Sequence, residues 1–240
     1  MIQKLKLKLN WKYALGEVFL IFLGITMAFG LQQWANSKSE FSKSKRYLDA
    51  LNLELESNLE VIKSHRKSTQ EDADKLRYYI ELVNSDSSHL LKESDIIEMV
   101  QNLGPSYYLS LSIAAYQDII NSGGIEYISD PVIRRNLIRY GVFLTEYESR
   151  VANSLDRWHS ILSPYYQRHA DLSKMSVGGI TFDFSKELFE SDLDAFVRNR
   201  DFTNILRSRI IWQLSVVKFI DSQIEDLDRF NGQVKNFLSL

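Results

Sequence analysis

The chain has 240 residues, 45% apolar and 25% charged, with 3 Pro and 10 Gly; it is long enough for a sizeable core and poor in residues that interrupt helices. Cys is absent, which excludes disulfides, thiolate metal sites and a cysteine nucleophile. Residues 1–36 carry Lys4, Lys6, Lys8 and Lys12 against Glu17 alone, so residues 37–240 hold 25 of the 29 basic and 30 of the 31 acidic residues, a balance that repels phosphate backbones and counts against nucleic acid as a partner.

Residues 1–12, MIQKLKLKLNWK, are a basic flank in which Lys4, Lys6 and Lys8 alternate with leucines, as at the positive end of a signal anchor. From Ala14 to Leu31 the chain is apolar apart from Glu17 and Thr26. At about 1.5 Å per residue such a helix crosses most of a hydrocarbon core about 30 Å thick. Trp11 and Tyr13 before it and Trp34 after it are expected as interface anchors, because aromatic rings with a polar edge settle at the headgroup level. A transmembrane helix is therefore expected over 13–34. A cleaved signal peptide is the competing reading, since Ala28-Phe29-Gly30 has the small-x-small form of a cleavage site. Lys38, Lys43, Lys45 and Arg46 balance the four leading lysines, so charge does not orient the span; the short amino-terminal tail favours the N-terminus inside and the body outside.

Glu17, Ile21, Gly24, Ala28 and Leu31 recur at helical spacings of three and four and share one stripe. Gly24 and Ala28 form a small-xxx-small pair that admits a second helix. For Glu17 three readings stand: packing and hydrogen bonding against another helix, passive placement near the interface one turn from Tyr13, or proton and ion handling.

Past Trp34 the stretch Asn36 to Ser44 has no Pro or Gly, so nothing stops the helix from continuing as a stalk. Leu48, Leu51, Leu55, Ile62, Thr69, Leu76 and Val83 keep to one helical face. Asn58, His65 and Asp72 interrupt this seam, favouring packing against other helices of the same chain over a self-pairing coiled coil. Asn84 to Ser88 reads as a turn. A short helix is expected from Ser94 to Leu103, stopped by Gly104-Pro105, and another between Ser112 and Ser122 with Gly123 as its left-handed cap.

Tyr13-Ala14-x-Gly16-Glu17, Gly24-Ile25-x-x-Ala28 and Trp34, with the later stretch Ala115-Tyr116-Gln117-Asp118-Ile119-Ile120-Asn121-Ser122-Gly123-Gly124-Ile125, resemble DUF6090, a family of uncharacterised bacterial membrane proteins. The resemblance implies one amino-terminal span followed by a mostly helical region over nearly the whole chain, in a bacterial cytoplasmic membrane. It assigns no activity.

Asp130-Pro131 is the clearest helix start, an acidic N-cap before a proline at the first helical position; the helix is expected to reach Leu162, with Pro164 ending or kinking it. Residues 171–184 lose helical period around Gly178-Gly179, and alternating Ile180, Phe182 and Phe184 predict a loop with a short extended piece. Two small helical segments near 185–199 and a last long helix capped by Asp201 complete the chain, the latter with Phe202, Ile205, Ile210, Leu214, Val217, Ile220, Ile224, Leu227, Val234 and Leu238 on its buried side.

No motif for catalysis stands out. His65, His89, His159 and His169 are scattered, and neither Asp86-x-x-His89 nor Asp156-x-x-His159 has the paired inward glutamates of a di-metal bundle. Acid pairs such as Glu54-Leu55-Glu56 read as solvated faces. Tyr78, Tyr79, Tyr107, Tyr108, Tyr116, Tyr127, Tyr140, Tyr147, Tyr165 and Tyr166 read as core or boundary packing, with a ligand pocket between helices as the alternative.

The expected protein is thus all-α: a basic flank over 1–12, a transmembrane helix over 13–34, and a helical bundle domain over 35–240 of three long helices and several short ones. It is expected to be a membrane-anchored scaffold or interaction module, not an enzyme, with no cofactor or metal. The bilayer and a protein partner or second copy, met through Glu17, Gly24 and Ala28, are its expected partners. It would sit in the bacterial inner membrane, N-terminus cytoplasmic and body periplasmic, as one subunit of a larger assembly. The alternative is a membrane-tethered sensor of a small ligand that signals through a partner.

Overall fold

The computed structural model describes residues 11–85, 92, 94, 95, 98, 110–169, 195 and 197–239, and among them every regular element is helical. Helix α1 runs unbroken from Trp11 to Val83, 73 residues, or about 110 Å at the helical rise. No proline interrupts it, and the expected continuation past Trp34 is present. Helix α2 (Ala114–Asn121) leads through Gly123 into one 3₁₀ turn (Gly124–Tyr127); α3 (Pro131–Arg157) continues through a π turn (Trp158–Leu162) into α4 (Ser163–His169); α5 (Arg200–Leu238) closes the chain.

Local chemistry explains several of these boundaries. The Asp130 carboxylate accepts from the backbone N–H groups of Val132 and Ile133 at 2.7 and 3.2 Å, with Pro131 opening α3, so the expected cap is formed. Gly123 adopts φ 70°, the left-handed conformation in which a Cβ is costly. One expectation is corrected. The cap of α5 is Asn199, whose Oδ1 accepts from Phe202 N–H at 2.8 Å, and Asp201 lies inside the first turn. At Pro164, expected to end or kink the third helix, regular α geometry gives way over Trp158–Leu162 and the chain goes on as α4. The Ser163 N–H donates five residues back to Trp158, and this widened turn makes room one residue ahead of a ring that would otherwise press on the preceding turn.

Helices α1 and α5 lie antiparallel. Phe41 meets Phe237, Lys45 Nζ donates to the Leu238 carbonyl, and farther up Lys63 pairs with Asp228 and Arg66 with Asp221. These ion pairs are half-exposed and add little; the joint is apolar. Leu48, Leu51, Leu55, Leu59 and Ile62 of α1 share one buried cluster with Ile133, Leu137, Tyr140 and Leu144 of α3 and Val216, Ile220, Leu227 and Val234 of α5. Each such side chain, removed from water, contributes about 1.5–3 kcal/mol. A second cluster joins Leu76 and Tyr79 to Tyr165, Val197, Phe202, Leu206 and Ile210. Between the two, His65 and Thr69 of α1 and Arg209 and Gln213 of α5 are buried polar groups.

Most of the expected seam is interior: Leu48, Leu51, Leu55, Ile62, Thr69 and Leu76 are buried, Val83 half-buried. On α5, Ile205, Leu214, Ile224 and Leu238 are only half-buried, while Leu206, Val216, Phe219 and Phe230 are buried in addition to the expected residues. The basic flank is outside the described residues but for Trp11 and Lys12, as are the loop and extended piece over 171–184. Of the short helix 94–103 only Ser94, Asp95 and Glu98 are described, all helical, and of the segments near 185–199 only Ala195 and 197–199.

Candidate functional site

The amino-terminal third of α1 is apolar and bare. From Leu15 to Trp34 every residue is exposed, Phe29 at 70% and Leu31 at 67%, and the first buried position is Ser44. A helix of this length and composition is apolar enough to cross a membrane, and none of its apolar window is covered by the rest of the chain. The buried core helix of a soluble protein passes the same sequence test but has its apolar face packed; this one does not. The Thr26 hydroxyl donates to the Phe22 carbonyl at 2.8 Å, which satisfies the one neutral polar side chain between Ala14 and Leu31 within its own helix.

Glu17, Gly24 and Ala28 fall on one exposed stripe of this segment. A Cβ added at Gly16, Gly24 or Gly30 would meet no atom within 4 Å, so nothing among the described residues demands their small size. Of the expected interface anchors, Trp11 is 71% and Trp34 64% exposed, with Lys38 Nζ 5.5 Å from the Trp34 ring centroid. Tyr13 lies in α1, its side chain outside the described residues.

A second constellation sits in the body, where sequence reasoning found only interruptions and solvated acids. Glu54 is 6% exposed, which corrects its assignment to a solvated face. Its Oε2 accepts from Ala115 N–H at 2.7 Å and from the Ser112 hydroxyl at 3.3 Å, and its Oε1 from Tyr116 N–H at 3.3 Å. Helix α2 has Ile113 at its N-cap position and no side-chain cap of its own; a carboxylate from another helix supplies what the free amides need. One turn along, the Asn58 amide is fully used. Nδ2 donates to the Ser112 carbonyl at 2.7 Å and to the Tyr140 hydroxyl at 2.6 Å, and Oδ1 accepts from Ser112 N–H at 2.8 Å. Tyr140 in turn donates to Glu54 at 3.4 Å. Burial, reinforced by the Glu54 charge, pushes the Tyr140 hydroxyl above its ordinary pKa.

His65, two turns farther on, shares a 2.9 Å hydrogen bond between Nδ1 and the Tyr147 hydroxyl. Burial pushes its pKa down to about 4, so the ring is neutral at pH 7 and Nδ1 accepts from the phenol when Nε2 carries the proton. Asp72 is half-buried and its carboxyl is raised by that burial against the opposing pull of Lys75 and Arg209. All three expected breaks in the seam thus lie on the packed side of α1, two with partners on α3.

Between the 110–117 segment and the middle of α3 lies a cavity of about 470 Å³. Its floor includes Gly141, Leu144 and Tyr147, its walls Tyr116 and Leu111, and its rim Thr145 and Glu148. The Tyr116 ring crosses Gly141 so closely that a Cβ there would collide with its hydroxyl, and it stands edge-on to Tyr140 with centroids 5.8 Å apart. Two of the sequence's tyrosines therefore line a cavity while Tyr140 is core; Tyr107 and Tyr108 are outside the described residues.

No family model, curated protein or solved structure matches this chain.

His65 is in the core; His159 and His169 are exposed, the latter against the Tyr165 ring at 4.7 Å between centroids. His89 is outside the described residues. Among the described residues no three His, Asp or Glu side chains are grouped to hold a metal ion.

Proposed function

We propose that the chain is a membrane-anchored helical scaffold or interaction module, non-enzymatic, inserted by a transmembrane helix over 13–34 and presenting a bundle of three long helices and several short ones. The observation that carries this reading is the bare apolar third of α1, continuous with the body and uncovered by it. An apolar surface of that extent left in water opposes solubility; in a bilayer it is solvated. Trp11, Tyr13 and Trp34 mark the ends, about 35 Å apart for 24 residues at the helical rise, a match to the hydrocarbon thickness with modest tilt.

The partner surface within the bilayer is the Glu17, Gly24 and Ala28 stripe, met by a second copy or by another membrane protein. Among the described residues Gly24 has no neighbour that demands its small size and Ala28 is exposed, and close approach of a second helix is what small residues permit. The location is a bacterial cytoplasmic membrane, with the N-terminus in the cytoplasm and the body in the periplasm, and membership of the DUF6090 family belongs to the same proposal.

A reporter fused after Leu240 should be active only outside the cytoplasm, and the protein should resist alkaline extraction from membranes with its amino terminus intact. Activity inside reverses the orientation; release of residues 1–30 replaces the anchor by a signal peptide. Glu17→Gln should leave insertion unchanged and alter cross-linking in the membrane. Unchanged cross-linking removes Glu17 from the partner surface.

A membrane-tethered sensor is the second reading, and the 470 Å³ cavity favours it. Its walls are fixed to the same helix that forms the anchor, through Glu54 to Tyr116 N–H and through His65 to the Tyr147 hydroxyl.

A further inference from the structure

We propose that the cavity between the 110–117 segment and α3 binds a small organic cation, an ammonium group carried on an apolar body, with Glu148 as its counter-ion. This deepens the sensor reading and rests on it; the anchor is independent of its outcome.

Size, lining and charge each contribute. A volume of about 470 Å³ lies within the range of small-molecule sites, about 300–1,000 Å³. The floor and walls are mainly aliphatic and aromatic, from Leu111, Leu144, Tyr116 and Tyr147, which suits an apolar body. Glu148 is the sole charged residue among the described lining. It is exposed and makes no ion pair or hydrogen bond among the described residues. Behind the wall, the Glu54 carboxylate accepts from the amides of Ala115 and Tyr116. No lysine or arginine is among the described residues lining the cavity, so an anionic ligand would meet the Glu148 carboxylate and no counter-charge. An ammonium group meets a carboxylate and two phenol rings, the combination that attracts cations through both charge and ring quadrupole.

The cavity is also built in. Gly141 is the one residue of α3 that leaves room for Tyr116 to cross it, and the wall that Tyr116 forms is held from α1 rather than from the cavity side.

The test uses the full chain in zwitterionic lipid nanodiscs, with empty nanodiscs as reference, and three probes of similar shape: phenethylamine, 2-phenylethanol and hydrocinnamate. Calorimetric titration should show saturable binding of the amine, about fivefold or more tighter than the alcohol, with the carboxylate weakest. Glu148→Gln should bring the amine to the level of the alcohol, and Thr145→Trp, which fills the cavity from an exposed position, should abolish binding of both. Unchanged helical circular dichroism shows that each variant is folded. No amine binding up to about 10 mM, a range that covers weak fragment binding, would overturn the proposal. So would equal binding of amine and carboxylate, or amine binding that survives both substitutions. None of these outcomes bears on extraction or reporter topology, which test the anchor separately.

Discussion

Replacing Asn58 by Ala should cost far more than an ordinary polar-to-alanine change on a helix. The side chain is 2% exposed and makes three hydrogen bonds, two to the backbone of Ser112 and one to Tyr140. Deletion leaves the Ser112 N–H and carbonyl without their partner in a part-buried site, at about 1 kcal/mol each, and adds a cavity of a few heavy atoms. Tyr140 keeps only its long contact to Glu54 at 3.4 Å. The sum is about 3 kcal/mol, and for a body of this size that corresponds to a melting temperature lower by about 6–12 °C. Thermal unfolding of the full chain in detergent, followed by circular dichroism, measures it. Hydrogen exchange adds a positional readout, since the amides of α2 (Ala114–Asn121) should lose protection before those of α3, α2 being held to α1 through Ser112 and Glu54. A loss below about 1 kcal/mol, within the range of a single ordinary hydrogen bond, or an α2 no more labile than α3, would refute the view that Asn58 fastens this segment.

His65 predicts a pH dependence. Its folded pKa of about 4 lies below the ordinary 6.5, so between those values the unfolded chain binds a proton that the folded chain does not; the stabilisation is complete above pH 6.5, falls as pH drops toward 4 and is flat below, by at most about 3 kcal/mol. Denaturant titrations of wild type and His65→Gln across that window should differ in slope, and parallel curves would remove His65 as the cause. Gly141→Ala should destabilise by about 1–3 kcal/mol through collision with the Tyr116 hydroxyl; Tyr116→Phe in the same chain should recover part of it in a double-mutant cycle, and strict additivity would deny the contact. Gly123→Ala, at φ 70°, should cost about 1 kcal/mol in a urea titration, and a neutral result would mean that the turn adjusts.

What the sequence made legible is what each helix does by itself. The apolar stretch, the Asp130-Pro131 start, the left-handed Gly123 and the leucine seam of α1 follow from local sterics and period, and all appear in the structure. The constellation in the body was not legible for a definite reason. Asn58 finds Ser112 and Tyr140 at sequence separations of 54 and 82 residues, and Glu54 finds Ala115 at 61, so the polar residues on this face indicated packing within the chain but not which residues they meet. The signal was present in one form. Asn58 and His65 lie seven apart on the buried side, a regularity that solvated residues have no reason to keep. The misplaced start of α5 was a local competition, since Asn199 and Asp201 are both good caps.

Because α1 has no break over its 73 residues, azimuth at one end fixes azimuth at the other. Each residue turns the chain by about 100° about the helix axis, so inserting one residue between Ala35 and Phe41 would swing the body a quarter-turn and more about the axis of α1, while inserting seven returns it to within about 20°. The direction in which the cavity on α3 looks is thereby geared to the direction in which the Glu17, Gly24 and Ala28 stripe looks. A neighbour that grips the stripe meets one side of the body, always the same one, and an insertion series in that segment would reveal any such neighbour as an activity that comes and goes with helical phase.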